Sequence, residues 1–334
     1  QKKYKVKLYN FLKRIMNILV TGGTGFIGRY LVDELVSHGY NVKILSRRNL
    51  NEPNIIRGDI TNIRSVEKAA KDVDAIFHNA ALASDRGKRS SFYRVNVTGT
   101  ENIAKVCAER KISVVHTSTA GVYGYPDSLE PVKEGNPKYP MNAYQKSKLE
   151  GEKILQRYGR EYGFRVSIVR PPLVLGAGAY AAKFIISSIE SGKFVYVGSG
   201  NTFVPIVHPR DVAKCLRLAL ERDKEGDVFN VVSFSCRIRE LVEKIAESMH
   251  VEKPRKSVPY GLAYVAGLFG EFTAMLGKEP KLTRFRVETL GTNRIISCEK
   301  ARVKLGFEPE FDLDKTVEDM VEWYKSLPED EKKI

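Results

Sequence analysis

A phenol, an ammonium and an aliphatic hydroxyl that meet at one carbonyl would make an acid–base centre, and this sequence offers all three. Tyr144 and Lys148 lie four residues apart in AYQKSKLEGE (143–152). On a helix that spacing puts both side chains on one face. A tyrosine can protonate a carbonyl, or deprotonate an alcohol, only if its pKa of about 10 is brought toward neutrality. A neighbouring ammonium does this by favouring the phenolate. The spacing alone carries little weight, because Tyr9 and Lys13 repeat it near the start of the chain. Position carries more. Thr119 closes the apolar run VVHTST upstream of Tyr144, where its hydroxyl could donate to a substrate oxygen as charge develops there.

Such a centre needs a hydride carrier, and the chain supplies a place for one. Residues 22–28 read GGTGFIG, which satisfies both GxGxxG and GxxGxxG. The pattern follows the strand-like run NILVT and opens an amphipathic helix expected over Ile27–His38. In that setting glycines permit a tight turn, close backbone approach to a pyrophosphate and close helix–strand packing. Gly22, Gly25, Phe26, Ile27 and Gly28 are therefore expected to touch a dinucleotide, with its phosphates on the unpaired N–H groups at the helix start. The second strand ends in Ser46-Arg47-Arg48, where an NAD-preferring site would offer an acid to the ribose hydroxyl. Arg47 and Arg48 instead suit a 2′-phosphate, so NADP is expected over NAD. Asp59 and Ile60 are expected near the adenine. Asn79, Ala80 and Ala81 would line the path from phosphate to ribose.

These residues sit on an alternation of short β-branched runs and helical segments from Met16 to about Arg170. Strands are expected at Asn17–Thr21, Val42–Ser46, Ile55–Gly58, Ala75–Asn79, Val114–Ser118 and Val166–Arg170, with a helix over Val97–Arg110. Near-continuous apolar strands separated by helices mean a parallel sheet covered on both faces. The expected fold class is α/β: a doubly wound parallel sheet, or Rossmann fold, whose ligands bind at the carboxyl ends of the strands. After Pro172 glycines and prolines become frequent. Arg210–Glu221 and Val228–Val232 read as one more helix and strand returning to the sheet. Ile238–His250 and Tyr260–Leu276 suggest a smaller, mostly helical substrate domain. The expected division is 16–172 with about 208–232 for the dinucleotide, and 173–207 with 233–334 for the substrate.

Composition narrows the function classes. The chain has 334 residues, 43% hydrophobic and 28% charged, which suits a globular enzyme. Four separated cysteines and five histidines without paired spacing argue against a disulfide framework or zinc site; no metal and a reducing cytoplasm are expected. The net charge is +15, but residues 1–15 carry six lysines and arginines and no acid. That basic leader, ahead of Met16, reads as vector-derived or mis-assigned; the alternative is an arm that touches membrane or nucleic acid. The remaining excess suits an anionic small molecule, so no nucleic-acid partner is expected. No apolar run is long enough to span a bilayer, which leaves peripheral membrane contact as the one membrane role open.

With these residues in order, the chain resembles the extended short-chain dehydrogenase/reductase family from Met16 to its C-terminus. The resemblance rests on TGGTGFIG (21–28), HNAAL (78–82), YRVNVTGTENI (93–103), HTSTAGVYG (116–124), AYQKSKLEGE (143–152), RPPLVLG (170–176) and VHPRDVA (207–213). It implies that Tyr144 is the acid/base, that Lys148 binds the nicotinamide ribose and tunes the tyrosine, and that Thr119 replaces the usual catalytic serine. It further implies a catalytic-site role for Asn96, a nicotinamide contact at Pro171, and a homodimer built on Val97–Arg110 and Ala143–Tyr158. ASDRGKRSSFYRVN, VPYGLAYVAGLFGEF and TRFRVETLG are similar to the 3β-hydroxysteroid dehydrogenase-like branch. Three functions stay open: reversible oxidation of a secondary alcohol on an apolar, steroid- or isoprenoid-like substrate; 4-epimerisation of a nucleotide sugar, with Arg284, Arg286 and Arg294 on its diphosphate; and NADP binding without catalysis. Ala120-Gly121 stand where a sugar dehydratase would carry an acid pair, so dehydration is not expected.

Overall fold

Strand β1 (Asn17–Thr21) runs into the glycine turn and helix α1 (Phe26–Ser37), and β2 (Asn41–Ser46) and β3 (Ile55–Arg57) follow. The chain then crosses back through α2 (Ile63–Ala69) to β4 (Ala75–His78), α3 (Gly99–Arg110) and β5 (Ser113–Thr117). Helix α4 (Ala143–Tyr162) leads to β6 (Val166–Arg170), and α5 (Pro209–Arg222) to β7 (Val228–Asn230). The sheet order is β7-β6-β5-β4-β1-β2-β3, with every pair parallel. The order reverses between β1 and β4, which opens a crevice at their carboxyl ends. This computed structural model describes residues 15–50, 52–84, 87–275 and 282–332. The basic leader, apart from Ile15, lies outside them.

Alternation along the strands explains the two-sided burial. Ile18 and Val20 of β1 join Leu31 and Leu35 of α1 and Leu216 of α5 on one face. Leu19, between them, joins Ile76, Val114, Ile103 of α3 and Leu155 of α4 on the other. Both faces are dry, so the strands read as continuous apolar runs rather than alternating ones.

Most expected elements form within a residue or two of their expected ends, and two features differ in substance. The helix expected from Val97 is α-helical only from Gly99, because Tyr93–Thr98 forms a π-helical turn after a short helix at Arg89–Phe92. A Cβ on Gly99 would sit 2.6 Å from the Ile60 side chain, so glycine lets this helix close on the loop after β3. The later part of the chain is rich in helix and also contains strands that were not expected. Leu173–Val174, Phe203–Val207 and Phe234–Arg237 build a three-stranded sheet, and two short strand pairs accompany it. Its core gathers Ile186, Ile206, Ile245, Met320 and Tyr324.

Helix α6 (Ile238–Met249) occupies its expected span to within a residue, and α7 (Tyr260–Met275) starts where expected; Leu276, the expected end of the latter, lies outside the described residues. Helix α7 is not a core helix: Leu262, Val265, Leu268, Phe269 and Phe272 face outward, while Ala263 is buried against α8 (Arg284–Gly291) through Val287. No helix among the described residues is long and apolar enough to cross a membrane.

Candidate active site

Gly22 opens the turn after β1 with φ +71, and a Cβ there would lie 2.8 Å from the Ala80 backbone. Residue 22 must be glycine for the loop to lie against the end of β4. Gly28, in the first turn of α1, would place a Cβ 2.0 Å from the Gly22 carbonyl oxygen. Gly25 differs: a Cβ there would meet only that oxygen, at 3.2 Å, so its outer side is clear. Gly25 is also the N-cap of α1 and supplies no side-chain hydrogen bond. The first N–H groups of α1, including those of Phe26 and Ile27, thus lack a capping side chain, which is the arrangement that attracts phosphate.

Around this turn the other expected contacts assemble. The Asn79 amide donates to the Gly22 carbonyl at 3.5 Å, and the Ala80 N–H to Thr21 Oγ1 at 3.2 Å. Ala81 follows in the chain and is half-buried. Thr24 Oγ1 and Ser46 Oγ lie 3.2 Å apart, which ties the glycine turn to the end of β2. Arg47 and Arg48, just beyond, are exposed. Asp59 caps its own turn by accepting from the Thr61 N–H at 2.9 Å, and Ile60 is buried beneath Gly99. Pro171 lies at the end of β6, where its carbonyl accepts from the Ala120 N–H at 2.8 Å.

Beneath the crevice runs a hydrogen-bonded line that sequence reasoning missed. The Thr100 hydroxyl donates to the Asn96 carbonyl at 2.7 Å, so its oxygen accepts from His78 Nε2 at 2.9 Å. His78 Nδ1 is then the acceptor for the Thr21 hydroxyl, also at 2.9 Å. His116, stacked on His78 with centroids 4.9 Å apart, has Nδ1 3.1 Å from the His78 carbonyl oxygen. A carbonyl can only accept, so Nδ1 carries the proton and Nε2 offers its lone pair to Lys148 Nζ at 3.1 Å. Both imidazoles are fully buried. Burial, with the Lys148 charge added, pushes His78 down to about 3 and His116 well below its ordinary value. The signal for this pair was available in the strands: AIFH and VVHT, set in register, bring His78 opposite His116.

Tyr144 and Lys148 both project from the first turns of α4, whose start is fixed by a capping box between Asn142 and Gln145. Thr119 lies just past β5, as the N-cap of a short 3-10 turn at Ala120–Tyr123, and accepts from the Gly121 N–H at 3.0 Å. Burial pushes the Tyr144 phenol up to about 12, and a hydrogen bond with Thr119 is what pulls it back. Burial likewise draws Lys148 down to about 7, against the attraction of Glu152. Lys148 is not among the groups that move the Tyr144 phenol here; its own charged form is disfavoured by burial, and it is engaged with His116.

Asn96 sits in the π-helical turn with both ends of its amide committed. Its oxygen accepts from the Leu82 N–H at 2.7 Å, and its nitrogen donates to the Leu82 carbonyl at 3.1 Å and to Ser147 Oγ at 2.9 Å. It clamps the segment after β4 to α4. Behind α4, Arg170 and Glu152 form a fork-to-fork ion pair, each about 2% exposed.

Tyr144 and Thr119 open onto a cavity of about 190 Å³. Its walls include Pro172, Leu173, Val174, Pro205, Phe285 and Ile296, with Tyr125, Gln145 and Arg294 as polar members. Tyr125 and Gln145 were not among the expected residues, and the pattern of the sequence gave no hint of them. The buried hydroxyls of Thr117 and Ser118, beside Thr119, have no hydrogen-bond partner among the described residues.

The model of the NAD dependent epimerase/dehydratase family matches residues 18–232. The chain belongs to that family. A ketoreductase from Stigmatella aurantiaca, described as acting on 4-hydroxy-2-methyl-3-oxo-4-farnesyl-3,4-dihydroquinoline-1-oxide, is 29% identical over 309 residues, covering 87% of this chain and 92% of that protein. A putative UDP-glucose 4-epimerase from Methanocaldococcus jannaschii is 30% identical over 331 residues, covering 92% of this chain and 98% of its own. Among solved structures, that of gox2253 superposes with a TM-score of 0.77 at 25% identity, covering 92% of this chain and 97% of the other. This family member is an NAD(P)-dependent enzyme of the extended short-chain dehydrogenase type. Its glycine cradle, uncapped helix start and unpartnered Thr117 and Ser118 hydroxyls fit a dinucleotide.

Proposed function

We propose that this enzyme interconverts a secondary alcohol and a ketone on an apolar substrate, with NADP preferred as the hydride carrier. The observation that carries this reading is the cavity itself. A phenol and a threonine hydroxyl share one opening, and the walls around them are largely aliphatic and aromatic. Bound NADP would accept or return a hydride at the substrate carbon. Tyr144 holds the proton that moves at the substrate oxygen. Its raised pKa keeps the phenol protonated at neutral pH, which is the form that donates when a ketone is reduced. Thr119 steadies the same oxygen. Lys148 and Asn96 position: the first from His116, the second by holding the chain after β4 against α4. In the chemistry so assigned, Asn96 is a clamp rather than a proton relay. The glycine turn would hold the pyrophosphate, with Arg47 and Arg48 on the 2′-phosphate.

A second reading, nucleotide-sugar 4-epimerisation, has the Methanocaldococcus relative in its favour. The arginines speak less well for it. The Arg284 guanidinium donates through Nε and Nη2 to one Glu271 oxygen, Oε2, at 2.9 and 2.7 Å, and Arg286 stacks over Phe184. Arg294 is the member of the three that lines the cavity.

The test is a screen of hydroxysteroids, isoprenoid alcohols and simple ketones against UDP-sugars, following nicotinamide absorbance. Net reduction or oxidation with added NADPH or NADP supports the dehydrogenase. Interconversion of UDP-sugars without net redox, by protein that retains cofactor through gel filtration, overturns it. Tyr144→Phe should lower turnover by a factor of about 10²–10⁴ with cofactor affinity unchanged; full turnover in that variant would move the chemistry elsewhere.

A further inference from the structure

Arg294 stands at the wall of the cavity that Tyr144 and Thr119 open onto. Its backbone is pinned, the N–H donating to the Phe203 carbonyl at 2.8 Å. Its guanidinium lies 4.3 Å over the Tyr125 ring and donates through one Nη to the Thr289 carbonyl at 3.0 Å. Tyr125 is itself braced, with its hydroxyl 3.1 Å from Thr289 Oγ1 and 3.4 Å from Gln145 Nε2. The cation is thus held on its face and at one end, and its Nε–H has no acceptor among the described residues.

A guanidinium taken out of water is expensive unless an anion meets it. Here no carboxylate of a described residue forms an ion pair with it. Glu288 attracts it from a distance, and burial pushes that carboxyl toward its neutral form. Desolvation lowers the Arg294 pKa as well, yet a guanidinium stays charged in any accessible pH range. The charge is fixed, oriented and uncompensated, and it borders the space where a substrate would sit.

We infer that Arg294 is the subsite for a carboxylate carried by the substrate, so that the enzyme acts on a hydroxy acid or oxo acid whose remaining surface is apolar. This rests on the dehydrogenase reading and narrows it. One cation on a largely apolar wall matches one negative charge. A nucleoside diphosphate would call for more, and Arg284 is already spent on Glu271. The cavity is small, about 190 Å³, which places the carboxylate only a few bonds from the reacting carbon. A planar carboxylate also matches a guanidinium, which can meet it with two parallel hydrogen bonds.

The experiment measures binding apart from chemistry. Tyr144→Phe protein saturated with NADP is titrated calorimetrically with 3-hydroxyalkanoates of four to ten carbons, with their methyl esters, and with UDP-glucose. At least one acid should bind about 30-fold or more tightly than its ester, as expected when one partner of a buried charge pair is lost. Arg294→Met should erase that difference, and Arg294→Lys, which keeps the charge, should retain part of it. Thermal melting of both variants confirms that they fold. Equal binding of acids and esters, no binding of any acid, or Arg294-dependent binding of UDP-glucose alone each overturns the inference. If an acid binds through Arg294 but wild-type enzyme with NADP never oxidises it, the carboxylate subsite stands and the dehydrogenase reading fails.

Discussion

His116 Nε2 faces Lys148 Nζ at 3.1 Å, and the proton on the other ring nitrogen is fixed by the His78 carbonyl. The imidazole is thereby committed as an acceptor. It holds the ammonium at the sheet end and stabilises its charged form by a hydrogen bond of the charge-assisted kind, worth about 1.5–3 kcal/mol. Replacing it with phenylalanine should lower turnover by roughly tenfold and move the alkaline limb of the pH–rate profile down by about one unit, since one unit is about 1.36 kcal/mol. His116→Asn, whose amide oxygen can accept, should recover part of both. A lower melting temperature with an unmoved limb would reduce His116 to a packing residue.

Lys148 also gives the fold a pH dependence of definite sign. Its folded-state pKa of about 7 lies below the unfolded value of about 10.4. The folded state is the weaker proton binder, so the penalty for burying the charge is full below pH 7. It is relieved as pH rises from about 7 toward 10.4. Wild-type protein should therefore gain stability relative to Lys148→Met between about pH 6.5 and 8.5, at up to roughly 1.4 kcal/mol per pH unit. Urea melts of both proteins across that range check it; parallel curves would mean that Lys148 keeps an ordinary pKa.

The glycine turn separates two roles that a sequence motif merges. Gly28→Ala drives a methyl to 2.0 Å from the Gly22 carbonyl, so it should cost about 1–3 kcal/mol as an overpacked contact. Gly25→Ala meets only one oxygen, at 3.2 Å, and should fold nearly as well as wild type. Yet it stands where a pyrophosphate would approach, and NADPH affinity should fall by about tenfold or more. Denaturant midpoints and fluorescence titration distinguish the two. A Gly25→Ala protein with unchanged affinity would remove the phosphate from this turn.

Arg47 and Arg48 are exposed, so changing them should leave the fold intact. The double variant Arg47→Glu/Arg48→Glu should weaken NADPH by about tenfold or more, as loss of hydrogen bonds to a charged group does, and change NADH by far less. Equal weakening of both cofactors, or a wild-type preference for NADH, would remove the 2′-phosphate from these residues.

The sheet was legible because its signal is local. NILVT and VSIVR are uninterrupted apolar runs, and both form strands with the expected ends. The glycine spacing and the Tyr144–Lys148 interval were equally readable. What escaped depends on partners distant in sequence. His78 and His116 pair only because β4 and β5 lie in register; Arg294 was readable as one of three candidate arginines, but not as the one of the three that lines the cavity, which it reaches from beyond α8. The two-residue strands are set by their neighbours, not by their own residues. The π-helical turn at Tyr93–Thr98 has no compositional mark, and the clamp that Asn96 makes from it on Leu82 and Ser147 again joins residues distant in sequence.

That turn has a consequence for how this stretch can change. A wide turn holds one residue more than a regular helix would, and each residue along a helix advances the phase by about 100°. Trimming a single position between 93 and 98 would wind the coil back and swing the preceding segment around its axis. Phe92, whose ring flanks Tyr144 at 6.4 Å, would leave the phenol's side. Length there is locked, although Arg89 and Ser90 nearby face water: substitutions at those surface positions are tolerable, while a gap of one residue is not.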